Sequence, residues 1–185
     1  MRVVSGLAGG IPLQIPQYDL RPTMDKVKGA IFSSLGEIVV GAQVLDLFSG
    51  SGALGIEAMS RGAARAILVE SNAKAVEAIS KNLQKTQLQA TVCREDVFRF
   101  LTRNTTRFDL IFADPPYAKH ADAIDFCNQL WHSPDMVRAL APEGFFVLER
   151  APGHPMPETA LFRLIRQKRY GASEVLLLGH RHSET

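Results

Sequence analysis

Val44-Leu45-Asp46-Leu47-Phe48-Ser49-Gly50-Ser51-Gly52-Ala53-Leu54-Gly55 decides the fold, because a short apolar run passes straight into a glycine-rich turn and a helix. Val44 to Leu47 has the length and apolar character of a strand buried on both faces, interrupted only by Asp46. Gly50 to Gly55 reads G-x-G-x-x-G, whose glycines allow a sharp turn and a close approach of backbone to ligand. Glu70 ends the next apolar run, where an acid can take the hydroxyls of a ribose. A nicotinamide dinucleotide and S-adenosylmethionine both fit this much. Asp46 separates them by charge: a carboxylate beside the turn would face the pyrophosphate of a dinucleotide but would attract the ammonium and sulfonium of the methyl donor.

Outward from this stretch, short apolar runs alternate with helical patterns, the mark of parallel strands joined by crossover helices. The strands are expected at Val44 to Leu47, Ala66 to Val69, Thr91 to Arg94, Leu110 to Ala113 and Phe145 to Leu148. Between them, Asn72 to Lys85 carries Ala75, Val76, Ile79 and Leu83 at helical spacing, with Ser71 or Asn72 as its cap. Past the Pro-rich Ala151 to Pro157, Leu161 to Arg169 and Val175 to Leu178 lack a helix between them. They are therefore expected to pair antiparallel and close a seven-stranded sheet with one reversed strand. Before the core, Val3-Val4 and Leu13 to Ile15 flank a Gly-rich turn like a small hairpin. A helix capped by Thr23 follows, with Val27, Ala30, Ile31 and Leu35 facing inward. The expectation is one domain over residues 1–185, with 1–43 as a hairpin and helix extension and 44–185 as the catalytic core.

Asp114-Pro115-Pro116-Tyr117 follows the apolar run Leu110 to Ala113, so it sits where a buried strand ends. In open α/β sheets ligands bind outside the carboxyl ends of the strands, near the point where strand order reverses. The first and fourth strands flank that point, which would bring Asp46 and Asp114 to one crevice. The amine of a base is a poor nucleophile because its lone pair is delocalised. Asp114 and the Pro115 carbonyl can accept its two N–H groups and aim the lone pair at a methyl group. Pro115 and Pro116 fix φ and offer no competing backbone donor. Tyr117 can stack on a base swung out of its helix or loop. Asp96 and the Val97 amide, at the end of the third strand, can meet an adenine edge, while Asp96 also suits the cap of a helix over Val97 to Arg103.

Composition narrows the classes. The chain has 185 residues, 46% hydrophobic and 22% charged, which suits a globular domain with a substantial core. A net charge of +2 names no nucleic-acid partner by itself. The basic residues do cluster, as Lys26 with Lys28, as Arg99, Arg103 and Arg107, and most densely as Arg163, Arg166, Lys168 and Arg169. Cys93 and Cys127 belong to no Cys-x-x-Cys pair, and His180 and His182 lack a matching ligand set, so neither a disulfide framework nor a metal is expected. Met1 to Gly6 has no secretory apolar run and no later run reaches membrane-spanning length, so the expected location is cytoplasmic.

Three stretches together resemble the RsmD family of bacterial 16S rRNA guanine-N2 methyltransferases. They are Leu20-Arg21-Pro22-Thr23 with Asp25, Leu45 to Ala58, and Asp114 to Tyr117, supported by Met1 to Gly6 and Tyr170-Gly171. The resemblance runs nearly end to end and implies a seven-stranded, Rossmann-like class I S-adenosylmethionine-dependent fold. It also implies methylation of one guanine amine in small-subunit rRNA, free or within a ribosomal particle. It assigns Asp46, Ser49, Gly50 and Gly52 to the methionine end of the cofactor, Glu70 to the ribose and Asp96 to the adenine. Asp114 to Tyr117 would hold the guanine, and Arg21, Thr23 and Asp25 would lie near the cofactor or the substrate entrance. One departure stands out: members usually carry several Lys or Arg residues in the N-terminal hairpin, whereas Leu7 to Leu13 here has none. RNA docking through Arg166 and Arg169 would compensate. The runner-up is a DNA adenine-N6 methyltransferase. A protein-glutamine methyltransferase, a nicotinamide oxidoreductase and a non-catalytic RNA-binding module are more remote readings.

Overall fold

The computed structural model describes residues 1–16, 24–116, 125–153 and 160–181. Seven strands form one sheet in the order β3-β2-β1-β4-β5-β7-β6. They are β1 (Gln43–Leu47), β2 (Arg65–Glu70), β3 (Thr91–Arg94), β4 (Phe108–Ala113), β5 (Leu140–Arg150), β6 (Phe162–Tyr170) and β7 (Ser173–His180). β1 to β5 run parallel, and β7 lies antiparallel between β5 and β6, so the expected single reversed strand is present. The helices are α1 (Met24–Leu35), α2 (Ala53–Ser60), α3 (Ala73–Thr86), α4 (Val97–Arg103), α5 (Phe126–Trp131) and α6 (Pro134–Ala139).

Period-two alternation splits the core between the faces of the sheet. Leu45 and Leu47 join Ile111, Phe100, Leu101 and Trp131 on one side. Val44 joins Leu110, Phe112, Ile31 and Phe32 on the other. Asp46 shares the parity of Val44 and therefore points beneath α2 rather than into water. Of the residues expected to face inward from α1, Val27, Ile31 and Leu35 are buried, together with Phe32, while Ala30 is only half-buried. Asn72 caps α3, its Oδ1 accepting from the amides of Lys74 at 2.9 Å and Ala75 at 3.3 Å. Thr23, the expected cap of α1, lies outside the described residues.

The structure departs from the sequence expectation in three places. The N-terminal turn makes one isolated bridge, Arg2 to Pro12, rather than a pair of strands. Val3 still exchanges bonds across it, donating to the Ile11 carbonyl at 2.9 Å and accepting from Gly10 at 2.8 Å. The amides of Val4 and Ser5, which would extend a ladder, instead donate to the Glu57 carboxylate at 2.7 and 3.1 Å. β5 starts five residues earlier than Phe145 and spans 11 residues, with an irregularity opposite Phe108 to Leu110. α5 and α6 have six residues each, too short for their periodicity to stand out in the sequence. Among the described residues no helix is long and apolar enough to cross a membrane.

Candidate cofactor and acceptor cleft

Strand order reverses between β1 and β4, since β2 and β3 extend the sheet to one side and β5 to the other. At the carboxyl ends of these two neighbours lies a cleft of about 510 Å³, lined by Asp46, Phe48, Ser49, Gly50 and Asp114. Ile15 and Pro16 of the N-terminal segment form part of its wall. Asp46 sits level with Phe112 in the register of β1 and β4, two residues before Asp114. The pair that sequence spacing places at one crevice does meet there.

The floor is built by backbone constraints. Gly50 and Gly52 have φ of +54° and +77°, and a Cβ on Gly52 would meet the Leu68 side chain at 2.9 Å. Phe48 also has φ of +55°, a left-handed conformation that is costly for a bulky residue and is commonly stored at functional sites. Ser49 holds that turn, its Oγ donating to the Asp46 carbonyl at 2.6 Å and its amide to the Val69 carbonyl at 3.1 Å. The Glu70 Oε2 accepts from the Gly50 amide at 2.9 Å, and its Oε1 from the Asn72 amide at 2.8 Å. Glu70 is therefore a brace between β2 and the glycine turn, with further lone pairs for a ribose.

Asp46 is 2% exposed, and its Oδ2 accepts from the Gly55 amide at 2.9 Å. Burial pushes its carboxyl up to about 7, against the opposing Gly55 hydrogen bond and helped by the negative Glu70. Once ionised, this carboxylate attracts a cation in the cleft and repels a pyrophosphate, which fits S-adenosylmethionine rather than a dinucleotide. Asp96 caps α4, its Oδ1 accepting from the Phe98 and Arg99 amides at 3.0 Å each. Val97, buried at 3%, contributes the first amide of that helix.

Asp114 is half-buried, Pro115 buried and Pro116 exposed. Tyr117 lies outside the described residues. Asp114 also borders a second recess, shared with Met1, Lys28, Ile31 and Glu149. Arg21 and Thr23 lie outside the described residues, whereas the Asp25 Oδ1 accepts from the Arg2 amide at 3.1 Å. Asp25 thereby ties α1 to the N-terminal segment. Arg166 and Arg169 are both exposed on the edge strand β6, but three residues apart they face opposite sides of the sheet. The structure does not bring them together as one docking patch.

Sequence reasoning missed Phe48, Ile15 and Pro16. A run of three aromatic rings continues from Phe48, with Phe126 at 5.2 Å and Phe98 at 6.3 Å from Phe126. Nothing local signals that contact, because it joins the ends of β1, α4 and α5. Cys93 and Cys127 are unpaired thiols, each half-buried.

This sheet order, with a glycine turn over a buried carboxylate and a second carboxylate at the neighbouring strand end, defines a class I S-adenosylmethionine-dependent methyltransferase. A family model described as "Conserved hypothetical protein 95" matches residues 1–179, and the chain belongs to that family, the RsmD family. "Putative rRNA methyltransferase YlbH" of Bacillus subtilis (strain 168) is 37% identical over 96% of this chain and 97% of its own length. "Ribosomal RNA small subunit methyltransferase D" of Haemophilus influenzae is 30% identical over 92% of this chain and 89% of its own. Among solved structures, the T. thermophilus 16S rRNA N2 methyltransferase RsmC, in complex with AdoMet and guanosine, superposes with a TM-score of 0.70. It is 27% identical and covers 89% of this chain and 44% of that one.

Proposed function

We propose that the protein methylates the exocyclic N2 amine of a guanine in 16S rRNA, with S-adenosylmethionine as donor. The observation that carries this reading is the single cleft lined by both Asp46 and Asp114. When bound, S-adenosylmethionine supplies a methyl group on a sulfonium centre. Asp46 holds the cationic end of the donor, with Ser49, Gly50 and Gly52 shaping the backbone around it. Glu70 takes the ribose hydroxyls, and Asp96 with the Val97 amide takes the adenine edge. Asp114 and the Pro115 carbonyl accept the two N–H groups of the acceptor amine, directing its lone pair and stabilising positive charge as it develops. Tyr117 stacks on the flipped base. The names of the relatives support rRNA as the acceptor, and the guanosine bound to RsmC supports the base. An rRNA substrate supports a reaction in the cytoplasm, on free rRNA or on an assembling small subunit.

The test is incubation with methyl-labelled S-adenosylmethionine and, separately, hypomodified small subunits, naked rRNA and DNA, followed by nucleoside analysis. N2-methylguanosine in rRNA is the expected product, and the preferred rRNA form identifies the physiological particle. Label in N6-methyladenine of DNA, or no label in any acceptor, overturns the reading.

A further inference from the structure

We infer that the groove between α1 and β6 docks a second nucleotide of the RNA strand whose guanine enters the cleft. This inference rests on the rRNA reading above. The groove is about 340 Å³, with Ile31, Val147 and Val175 in its apolar floor and Arg166, Lys168 and Tyr170 along β6. None of its lining residues is acidic. Arg166 and Lys168 are exposed, and among the described residues neither makes an ion pair or a side-chain hydrogen bond.

The basic face is a product of register. Leu164 pairs with Leu178, but Arg166 pairs with Leu177, so one extra residue enters β6 between them. Without this bulge Arg166 would oppose Leu176 and share its face, the side of the core that holds Trp131. With it, Arg166, Lys168 and Tyr170 all turn to the α1 face, beside Leu177 and Val175. Bulges re-aim side chains in this way. Arg169 turns to the other face, where its Nε donates to the Gly171 carbonyl at 3.2 Å.

The groove adjoins the reaction site through shared walls. Ile31 walls both the groove and the recess, and Asp114 walls both the recess and the cleft. Lys168, Val175 and Glu149 form one row across the sheet, and Glu149 lies in that recess. Two strand spacings, about 10 Å, separate the backbones of Lys168 and Glu149. A strand with one base at Asp114 can therefore lay a neighbouring base on the apolar floor beside Tyr170, with its phosphates against Arg166 and Lys168. A cationic rim with an aromatic platform is the chemistry of single-stranded nucleic-acid binding.

Equilibrium binding of a short guanine-containing single-stranded RNA, over a series of salt concentrations, tests this on the whole protein. Arg166→Glu with Lys168→Glu is expected to raise Kd at least tenfold and to flatten the log Kd versus log salt slope by about 1.4, at ~0.7 per phosphate contact. Tyr170→Ala should weaken binding about tenfold with the slope unchanged. The charge-matched control is Arg65→Glu with Arg107→Glu, at the amino ends of β2 and β4. S-adenosylmethionine affinity, measured in parallel, should be unchanged in all variants. Equal losses in the groove and control pairs, or no loss in the groove pair, overturn the proposal. Because binding is read without methyl transfer, groove-dependent binding with no labelled guanine leaves the groove standing and removes the acceptor assignment. Guanine methylation with wild-type RNA binding by the groove variants removes the groove alone.

Discussion

Asp46 was legible in the sequence as an acid within a buried strand beside a glycine turn, but the Gly55 amide that meets its carboxyl was not, since parity alone does not say what covers a strand. Desolvation raises its carboxyl to about 7, opposed by the Gly55 amide and reinforced by Glu70. The neutral form is favoured by folding, so its stabilising contribution is complete below about pH 4 and lost as pH rises through 7. The loss is of order 4 kcal/mol, at about 1.4 per pH unit. Chemical denaturation of the ligand-free protein at pH 5 and pH 8 should show about 3 kcal/mol of this decline, from the two pH units between 5 and 7, and Asp46→Asn should abolish it while keeping an acceptor for the Gly55 amide. The same variant should bind S-adenosylmethionine roughly tenfold or more weakly, because a charge-assisted contact is gone. Wild-type affinity should rise between pH 6 and pH 8 as the carboxylate ionises, which calorimetry detects. Asp114→Ala belongs to the other half of the cleft. It should lower kcat by about a hundredfold or more with cofactor affinity unchanged, and undiminished turnover would remove its proposed role.

At the level of elements, the capping residues of α3 and α4 were legible because a cap is a local bond between neighbours in sequence. Asn72→Ala should cost about 1 kcal/mol in a denaturant titration, since two amides lose their acceptor. The attachment of the N-terminal turn was not legible, because its anchor is Glu57, more than fifty residues away. Glu57 is fully buried and accepts from Lys28 at 3.2 Å and Arg61 at 2.8 Å besides the amides of Val4 and Ser5. Burial drives Lys28 down in pKa and Glu57 opposes that shift. Glu57→Gln should destabilise the protein by roughly 3 kcal/mol, because it leaves a buried ammonium without its counter-charge. Increased amide exchange at Val4 and Ser5 in that variant would locate the loss at the N-terminal turn.

Across the whole molecule, the sheet joins all seven described strands from β3 at one edge to β6 at the other, so unfolding is expected in one calorimetric transition. Saturation with S-adenosylmethionine at about 100 times its Kd should add about 2.7 kcal/mol and move that transition up by roughly 5 to 10 °C. Two separate transitions would divide the N-terminal extension from the core. The sequence by itself determined the parallel strands, the glycine turn, the reversed strand and the carboxylates at strand ends, because periodicity, chain length and turn chemistry are local properties. Only the tertiary structure decided that Ile15, Pro16 and Phe48 line the cleft, that Glu57 anchors the N-terminal turn, and that Arg166 and Lys168 turn to the α1 face of β6. Those outcomes depend on contacts between distant segments and on a one-residue slip in strand pairing. A slip of one residue turns every following side chain to the other face, and no local pattern records it.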